Sequence, residues 1–374
     1  MKKFFKKSIS IILASLLALS VLSACNIGSK EELFMTKDFI AMDTYITLKF
    51  SRDGFDEEGK KILLEEEYIN EVMAECEAIA TELDAKLSAH DEKSLISEIN
   101  TETDRFFDVD SDIISFLLQT IEISGTLDGK FDPTIGAVTL LWNINGEDAR
   151  VPSDEKITEA LSHVGCEKIE ISGSDIIKHD KKVKLDLGAI AKGYALKKIT
   201  EYIATTDIVR GLINFGGSVS VIGEKANGSD YKIGITDPND NSSVIGYVYI
   251  DSGFVSVSGN YERYAEIDGV RYDHIFDPET GRPADTDLTS VAVLCDDPVW
   301  ADALSTALYV MGSEKALEFS RTSSVLFEAV FITESGDIIY TDGIKATDET
   351  TDESDTAEYT EFEKYIPETT DETD

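Results

Sequence analysis

Several short stretches of this chain carry residue types and spacings that could do chemistry on a phosphate. In Asp186-Leu-Gly-Ala-Ile-Ala-Lys-Gly193 an apolar approach (Val183, Leu185, Leu187) reaches a carboxylate, turns at Gly188 and enters a helix bearing Lys192. Backbone N–H groups at a helix start are free to meet an anion, and Lys192 would add positive charge beside it. An ordinary strand-to-helix turn with a surface lysine fits the same octapeptide. In Ala301-Asp302-Ala-Leu-Ser305-Thr306 a helix would bring the Asp302 carboxylate and the Ser305 and Thr306 hydroxyls onto one face. Hard oxygen donors of this kind suit magnesium. A capping aspartate with hydroxyls turned back to helix carbonyls fits equally.

His274-Ile-Phe-Asp277-Pro-Glu-Thr-Gly281-Arg-Pro283 places a histidine where a strand runs into a tight loop, as a proton acceptor or phosphate contact. A lone histidine is also often structural. Lys130-Phe131-Asp132-Pro133-Thr134 sets an aromatic and a carboxylate on a proline-stabilised turn, able to hold a flat heterocycle by its face and its N–H groups. Alternatively, Phe131 is core and Asp132 a turn residue. Asn214-Phe-Gly216-Gly217-Ser218 and Ser256-Val-Ser258-Gly259-Asn260-Tyr261 look like strand-end loops where backbone approaches a ligand. The phosphate loop, the dinucleotide G-x-G-x-x-G, the G-x-S-x-G elbow and the H-E-x-x-H pair are all missing from the sequence.

The elements that must position these residues are helices first and strands later. Alternation predicts a strand over residues 44–50, and apolar spacing (Ile62, Leu63, Tyr68, Ile69, Val72, Ile79, Leu83) a long helix over 57–87. Further helices are expected from Asp110 or Ser111 to about 123, over 153–163, after Asp186 and over 299–311. Strands are expected over 168–171, 175–178, 182–186, 209–213, 231–235, 245–250, 254–257, 271–276 and 289–294. The pattern is α+β, a mixed or antiparallel sheet system with packed helices, without the regular alternation of a doubly wound fold.

The ends read differently. Residues 1–24 hold Lys2, Lys3, Lys6 and Lys7, an apolar run over 11–22, and small residues before Cys25, as an export signal does. Leu22-Ser23-Ala24-Cys25 resembles the lipobox of bacterial lipoproteins, which implies lipidation of Cys25 and a tether over 25–32. Cys76, Cys166 and Cys295 then remain, too few and too scattered for a disulfide framework. A net charge of -39 excludes nucleic acid and electrostatic membrane binding. A phosphate-rich ligand would need a divalent cation or local basic groups. Residues 346–374, with repeated Thr-Asp-Glu, are expected to form a disordered acidic tail, leaving a body of 33–345.

Taken in order from Ala41-Met42 to Thr306, these motifs resemble the ApbE family of FAD:protein FMN transferases, typically exported lipoproteins. The resemblance implies magnesium-dependent transfer of the FMN half of FAD to a threonine hydroxyl of an acceptor flavoprotein, such as a subunit of an envelope redox complex, with AMP released. It implies FAD contacts at Met42, His90, Lys130, Phe131, Asp132, Asp186, Lys192 and Ile275. It implies magnesium ligation by the Ala189 carbonyl, Asp302, Thr306 and Ser305, and an enzyme anchored on the outer face of the cell membrane. His274 or a site carboxylate, Asp302 among them, would assist the threonine proton's departure. Three positions depart from the family pattern: Asp43 stands where glycine is common, Ser218 where aspartate is, and His90 where an aromatic, often tyrosine, contacts the flavin. Two other outcomes fit the same motifs: hydrolysis of FAD to FMN and AMP, and a non-catalytic flavin-binding lipoprotein that has no use for Asp302 and Thr306.

Overall fold

The computed structural model describes residues 34–56, 58–346 and 360–364. The export signal, Cys25 and the whole tether over 25–32 lie outside the described residues. The main sheet has eight strands, antiparallel throughout and adjacent in chain order. They are β1 (Phe34–Ala41), β2 (Thr44–Ser51), β3 (Gly211–Phe215), β4 (Ser218–Ile222), β5 (Gly253–Gly259), β6 (Leu288–Cys295), β7 (Glu328–Thr333) and β8 (Ile338–Tyr340). This is the α+β architecture expected from the pattern.

Both faces of the sheet are covered. Strand residues alternate between faces, and in β4 and β5 the alternation is of valine with serine. Val221, Val255 and Val257 pack into a core shared with a second sheet, while Ser218, Ser220 and Ser256 are buried facing the helices. Those helices are α1 (Glu66–Leu87), α2 (Ser111–Thr126), α3 (Gly136–Trp142), α4 (Ala191–Ile203) and α5 (Pro298–Met311). The principal core joins α1, α2, α4 and α5 to the sheet through residues such as Met73, Phe116, Leu196 and Leu304. A smaller core forms around Trp142, whose indole N–H donates to the Gly281 carbonyl at 3.0 Å.

Three expectations are corrected. Helix α1 begins at Glu66, because Lys61–Leu63 pairs with Asp53–Phe55 as a hairpin, with Gly59 in the left-handed region between them. Residues 182–186 form no strand. Their backbone is hydrogen-bonded elsewhere, with the Asn100 amide taking both the N–H (2.6 Å) and the carbonyl (2.8 Å) of Leu185, and only Lys184 makes a bridge, to Ile135. Within the acidic tail, Thr360–Lys364 is a strand of the second sheet, antiparallel to Asp240–Ile250 and parallel to Ile344–Ala346. Phe362 is 2% exposed in the second core, and Glu363 accepts from Tyr249 and from Lys232 (2.7 Å). A Cβ at Gly246 would overlap the Phe362 ring, so glycine there makes the room.

Helix α5 is capped by Asp297, whose carboxylate accepts from the Val299 N–H at 2.8 Å. It crosses α4 at Gly193, where any Cβ would overlap the Pro298 carbonyl and stand 2.9 Å from the Asp302 Cβ. Gly193→Ala is therefore expected to destabilise by about 1–3 kcal/mol through overpacking. Phe362→Ala is expected to cost about 3–5 kcal/mol, and deletion of residues 347–374 at least as much. Urea unfolding followed by circular dichroism measures all three, and unchanged midpoints would refute both packing assignments.

Candidate active site

The 186–193 turn is where the motifs meet. Helix α4 starts at Ala191, so Lys192 lies in its first turn. The Gly193 N–H, third in the helix and so without an intrahelical partner, donates to Asp302 Oδ2 at 2.9 Å. Among the described residues no backbone N–H donates to the Ala189 carbonyl. The other Asp302 oxygen, Oδ1, accepts from the Ser256 hydroxyl at 3.0 Å, and Ser256 meets Ser218 at 3.1 Å. One turn on, Ser258 lies 2.7 Å from the Ser305 hydroxyl and 3.3 Å from that of Thr306. Asp302 is thus no helix cap. It is a buried carboxylate, 3% exposed, held by one backbone and one hydroxyl donor.

Gly188 makes its turn without a left-handed backbone, its N–H closing onto Asp186 Oδ1 at 2.9 Å. Asp186 Oδ2 accepts from the Thr139 hydroxyl at 2.6 Å, and the Asp186 N–H donates to the Pro133 carbonyl at 2.8 Å. The Asp132 turn is therefore bound directly to the octapeptide. Asp132 Oδ1 accepts from the Thr134 N–H (2.8 Å), the Thr134 hydroxyl (2.6 Å) and the Cys166 thiol (3.7 Å). Burial and the neighbouring Asp132 charge push the Cys166 thiol up to about 12, so it is inert. Phe131 is 4% exposed in the principal core, its carbonyl bonded by Ser124, so its ring is packing rather than a free face. Lys130 reaches the other loop, at 3.0 Å from Glu279 and 3.4 Å from Asp277.

His274 faces the same region from the opposite side. Its Nδ1 lies 3.1 Å from the Arg263 carbonyl, which can only accept, so Nδ1 carries the proton and Nε2 keeps its lone pair. Burial, and then the Arg263 and Lys192 cations, push this imidazole down to about 3. Ile275 is buried, with its N–H on Asp273. Met42 and Asp43, both in the left-handed region, turn β1 into β2; the Met42 N–H donates to Asp84 at 2.8 Å, and Arg263 donates to the Asp43 carbonyl at 3.3 Å. His90 is exposed just beyond the end of α1, the helix that carries Asp84.

Sequence reasoning missed Glu262 and Arg263. They follow Asn260-Tyr261, the end of the Ser256-to-Tyr261 motif, a continuation that could have pointed to them. Burial raises the Glu262 carboxyl above its ordinary range, against the pull of Lys192 and Arg263, with Asp302 adding to the rise. Also missed were the roles of Ser256, which falls inside the strand expected over 254–257, and of Ser218, placed in a loop although it begins a strand.

Among the described residues no group of three His, Cys, Asp or Glu side chains is placed to hold a metal. The donor set here is one carboxylate, neighbouring hydroxyls and a carbonyl without a helix partner. Such neutral, hard oxygens beside a single charge fit a magnesium ion that completes its shell with water and substrate phosphate.

The sequence profile of the ApbE family matches residues 42–331. An FAD:protein FMN transferase from Vibrio cholerae is 30% identical over 71% of this chain and 80% of its own length. One from Haemophilus influenzae is 29% identical over 88% of this chain and 95% of its own. Among solved structures, the ApbE protein of Thermotoga maritima superposes with a TM-score of 0.73 at 32% identity, covering 83% of this chain and 97% of that one. A flavin transferase ApbE from Vibrio cholerae gives 0.69 at 26% identity, over 83% and 97%. With a match spanning most of the chain, this protein belongs to the ApbE family.

Proposed function

We propose that this chain transfers the FMN half of FAD to a threonine hydroxyl of an acceptor protein and releases AMP. The observation that carries this is the convergence at the 186–193 turn of the Lys192 cation, the unclaimed Ala189 carbonyl and the doubly held Asp302 carboxylate. Magnesium would be held by the Ala189 carbonyl, Asp302 and Thr306, with Ser305 adjoining. Bound there, it would act as a Lewis acid toward the pyrophosphate.

The chain's own residues would do the rest. The threonine oxygen forms a bond to the FMN-side phosphorus while the bond from that phosphorus to the AMP oxygen breaks. Lys192, in the first turn of α4, offsets charge gathering on the pyrophosphate oxygens. His274 Nε2, neutral and with its lone pair free, accepts the threonine proton. Asp132 and Asp186 keep lone pairs for the flavin nucleotide after their turn bonds are made. Export and a lipid on Cys25 would place this chemistry outside the cytoplasm, next to envelope acceptors.

Incubation with FAD, magnesium chloride and a threonine-bearing acceptor domain tests the proposal. Flavin fluorescence surviving denaturation on the acceptor, with equimolar AMP, is the expected result; free FMN and AMP without labelled acceptor would favour hydrolysis. Asp302→Asn and Lys192→Met are each expected to lower single-turnover transfer by about 10²-fold or more. A fall of less than threefold in either would remove that residue from the mechanism.

Because His274 is held neutral with a value of about 3, protonation should not switch transfer off near the ordinary imidazole value of about 6.5. The acidic limb of the rate profile is expected well below that value, and His274→Gln should slow transfer at every pH. The same shift gives a stability linkage: the unfolded chain takes up this proton first as pH falls through about 6.5, so folding stability declines from there down toward about 3. A limb near 6.5 that vanishes in His274→Gln would contradict the assigned protonation state.

A further inference from the structure

We propose that Ser256, itself held by Ser218, is a positioning residue that aims the Asp302 carboxylate at the metal. This rests on the magnesium reading of Asp302. A carboxylate only accepts, so at 3.0 Å the Ser256 hydroxyl must donate to Asp302 Oδ1. The Ser256 oxygen is then free to accept from the Ser218 hydroxyl at 3.1 Å, giving the chain a single direction, from Ser218 to Ser256 to Asp302. All three side chains are 2–3% exposed, so water does not compete for these bonds.

The other carboxylate oxygen is fixed from the opposite helix by the Gly193 N–H at 2.9 Å. Each oxygen therefore has one rigid donor and keeps further lone-pair capacity for a cation. The donors come from backbone and from a strand, neither of which can swing as a long side chain would. Neighbouring Ser256 on the same strand face, Ser258 sits 2.7 Å from Ser305 and 3.3 Å from Thr306, so β5 supplies the wall on which the whole donor set of α5 rests. Ser218 stands at the first position of β4, immediately after Gly216 and Gly217, both in the left-handed region that turns β3 into β4. That turn is what delivers Ser218 to Ser256.

Partners that orient a metal ligand are commonly worth 10- to 100-fold in metal affinity. The test is titration of Mn²⁺, followed by electron paramagnetic resonance, into the FAD-bound protein and its Ser256→Ala, Ser256→Thr, Ser218→Ala and Asp302→Asn variants. Ser256→Ala is expected to weaken Mn²⁺ binding about tenfold, and Ser218→Ala by less. Ser256→Thr, which keeps the hydroxyl, should restore most of the loss. FAD affinity measured without metal should stay the same, which a general loss of structure would not allow. Should Ser256→Ala fold poorly, Ser218→Ala gives the same readout one bond further from the carboxylate. Unchanged Mn²⁺ affinity in both alanine variants, beside a loss in Asp302→Asn, overturns this proposal alone. Equal Mn²⁺ affinity of the unsubstituted protein and Asp302→Asn overturns the metal reading and the proposal with it.

Discussion

One hydrogen bond between two helices organises this molecule, from the Gly193 N–H to Asp302 Oδ2. It exists because residue 193 has no Cβ, so α4 can rest directly on the first turn of α5. A carboxylate buried this deeply is costly unless its oxygens are paired. Here the donors are a first-turn helix N–H, which has no intrahelical partner, and a serine on the sheet beneath. Ala189 precedes the helix start, and among the described residues no backbone N–H donates to its carbonyl. Helix packing and the chemistry of the site are therefore set by the same contact.

The remaining motifs are tied to this point by short polar bonds across long sequence distances. Thr139 and Asn100 secure the approach to the turn, one on the Asp186 carboxylate and the other on the Leu185 backbone. Gly136 must be small because a Cβ there would stand 2.7 Å from the Lys184 and Leu185 carbonyls. Lys130 joins the Asp132 turn to the loop after His274, and Arg263 joins His274 to the turn at Met42. No single loop owns the site. It is assembled from turns that each hold another in place, which gives positioning without a large buried polar core.

What could be read from the sequence was whatever local spacing controls. The α5 helix and its Asp302, Ser305 and Thr306 face follow from helical period alone, and the Asp110 cap and Pro298 start follow from terminal preferences. The donors to Asp302 could not be read this way, because Gly193 and Ser256 lie 109 and 46 residues from it. The local trace of Ser256 is the alternation of serine with valine over residues 218–221 and 255–258, which marks a strand face but not what that face touches. The expected strand over 182–186 failed for the opposite reason. Its apolar residues do face inward, but a side-chain amide and a loop carbonyl had already taken the bonds a neighbouring strand would need. Phe362 escaped notice because acidic flanks dominate its surroundings in sequence, while its ring lies over Gly246 and is buried in the second core.

The electrostatics of the site follow from placing few cations in a very acidic chain. Lys130 is already neutralised by Asp277 and Glu279, so it fastens loops and brings little net field to an anionic substrate. Lys192 has no acidic side chain within 4.0 Å among the described residues, and Arg263 reaches a backbone carbonyl instead. These two positive charges act together on their neighbours, pulling against the upward shift of Glu262 and helping to hold His274 neutral. Cations that would steady a pyrophosphate thus also keep the nearby imidazole unprotonated, the form a proton acceptor requires. Burial and two cations together hold His274 neutral at ordinary pH, so its protonation state is set by its surroundings and not by the imidazole alone.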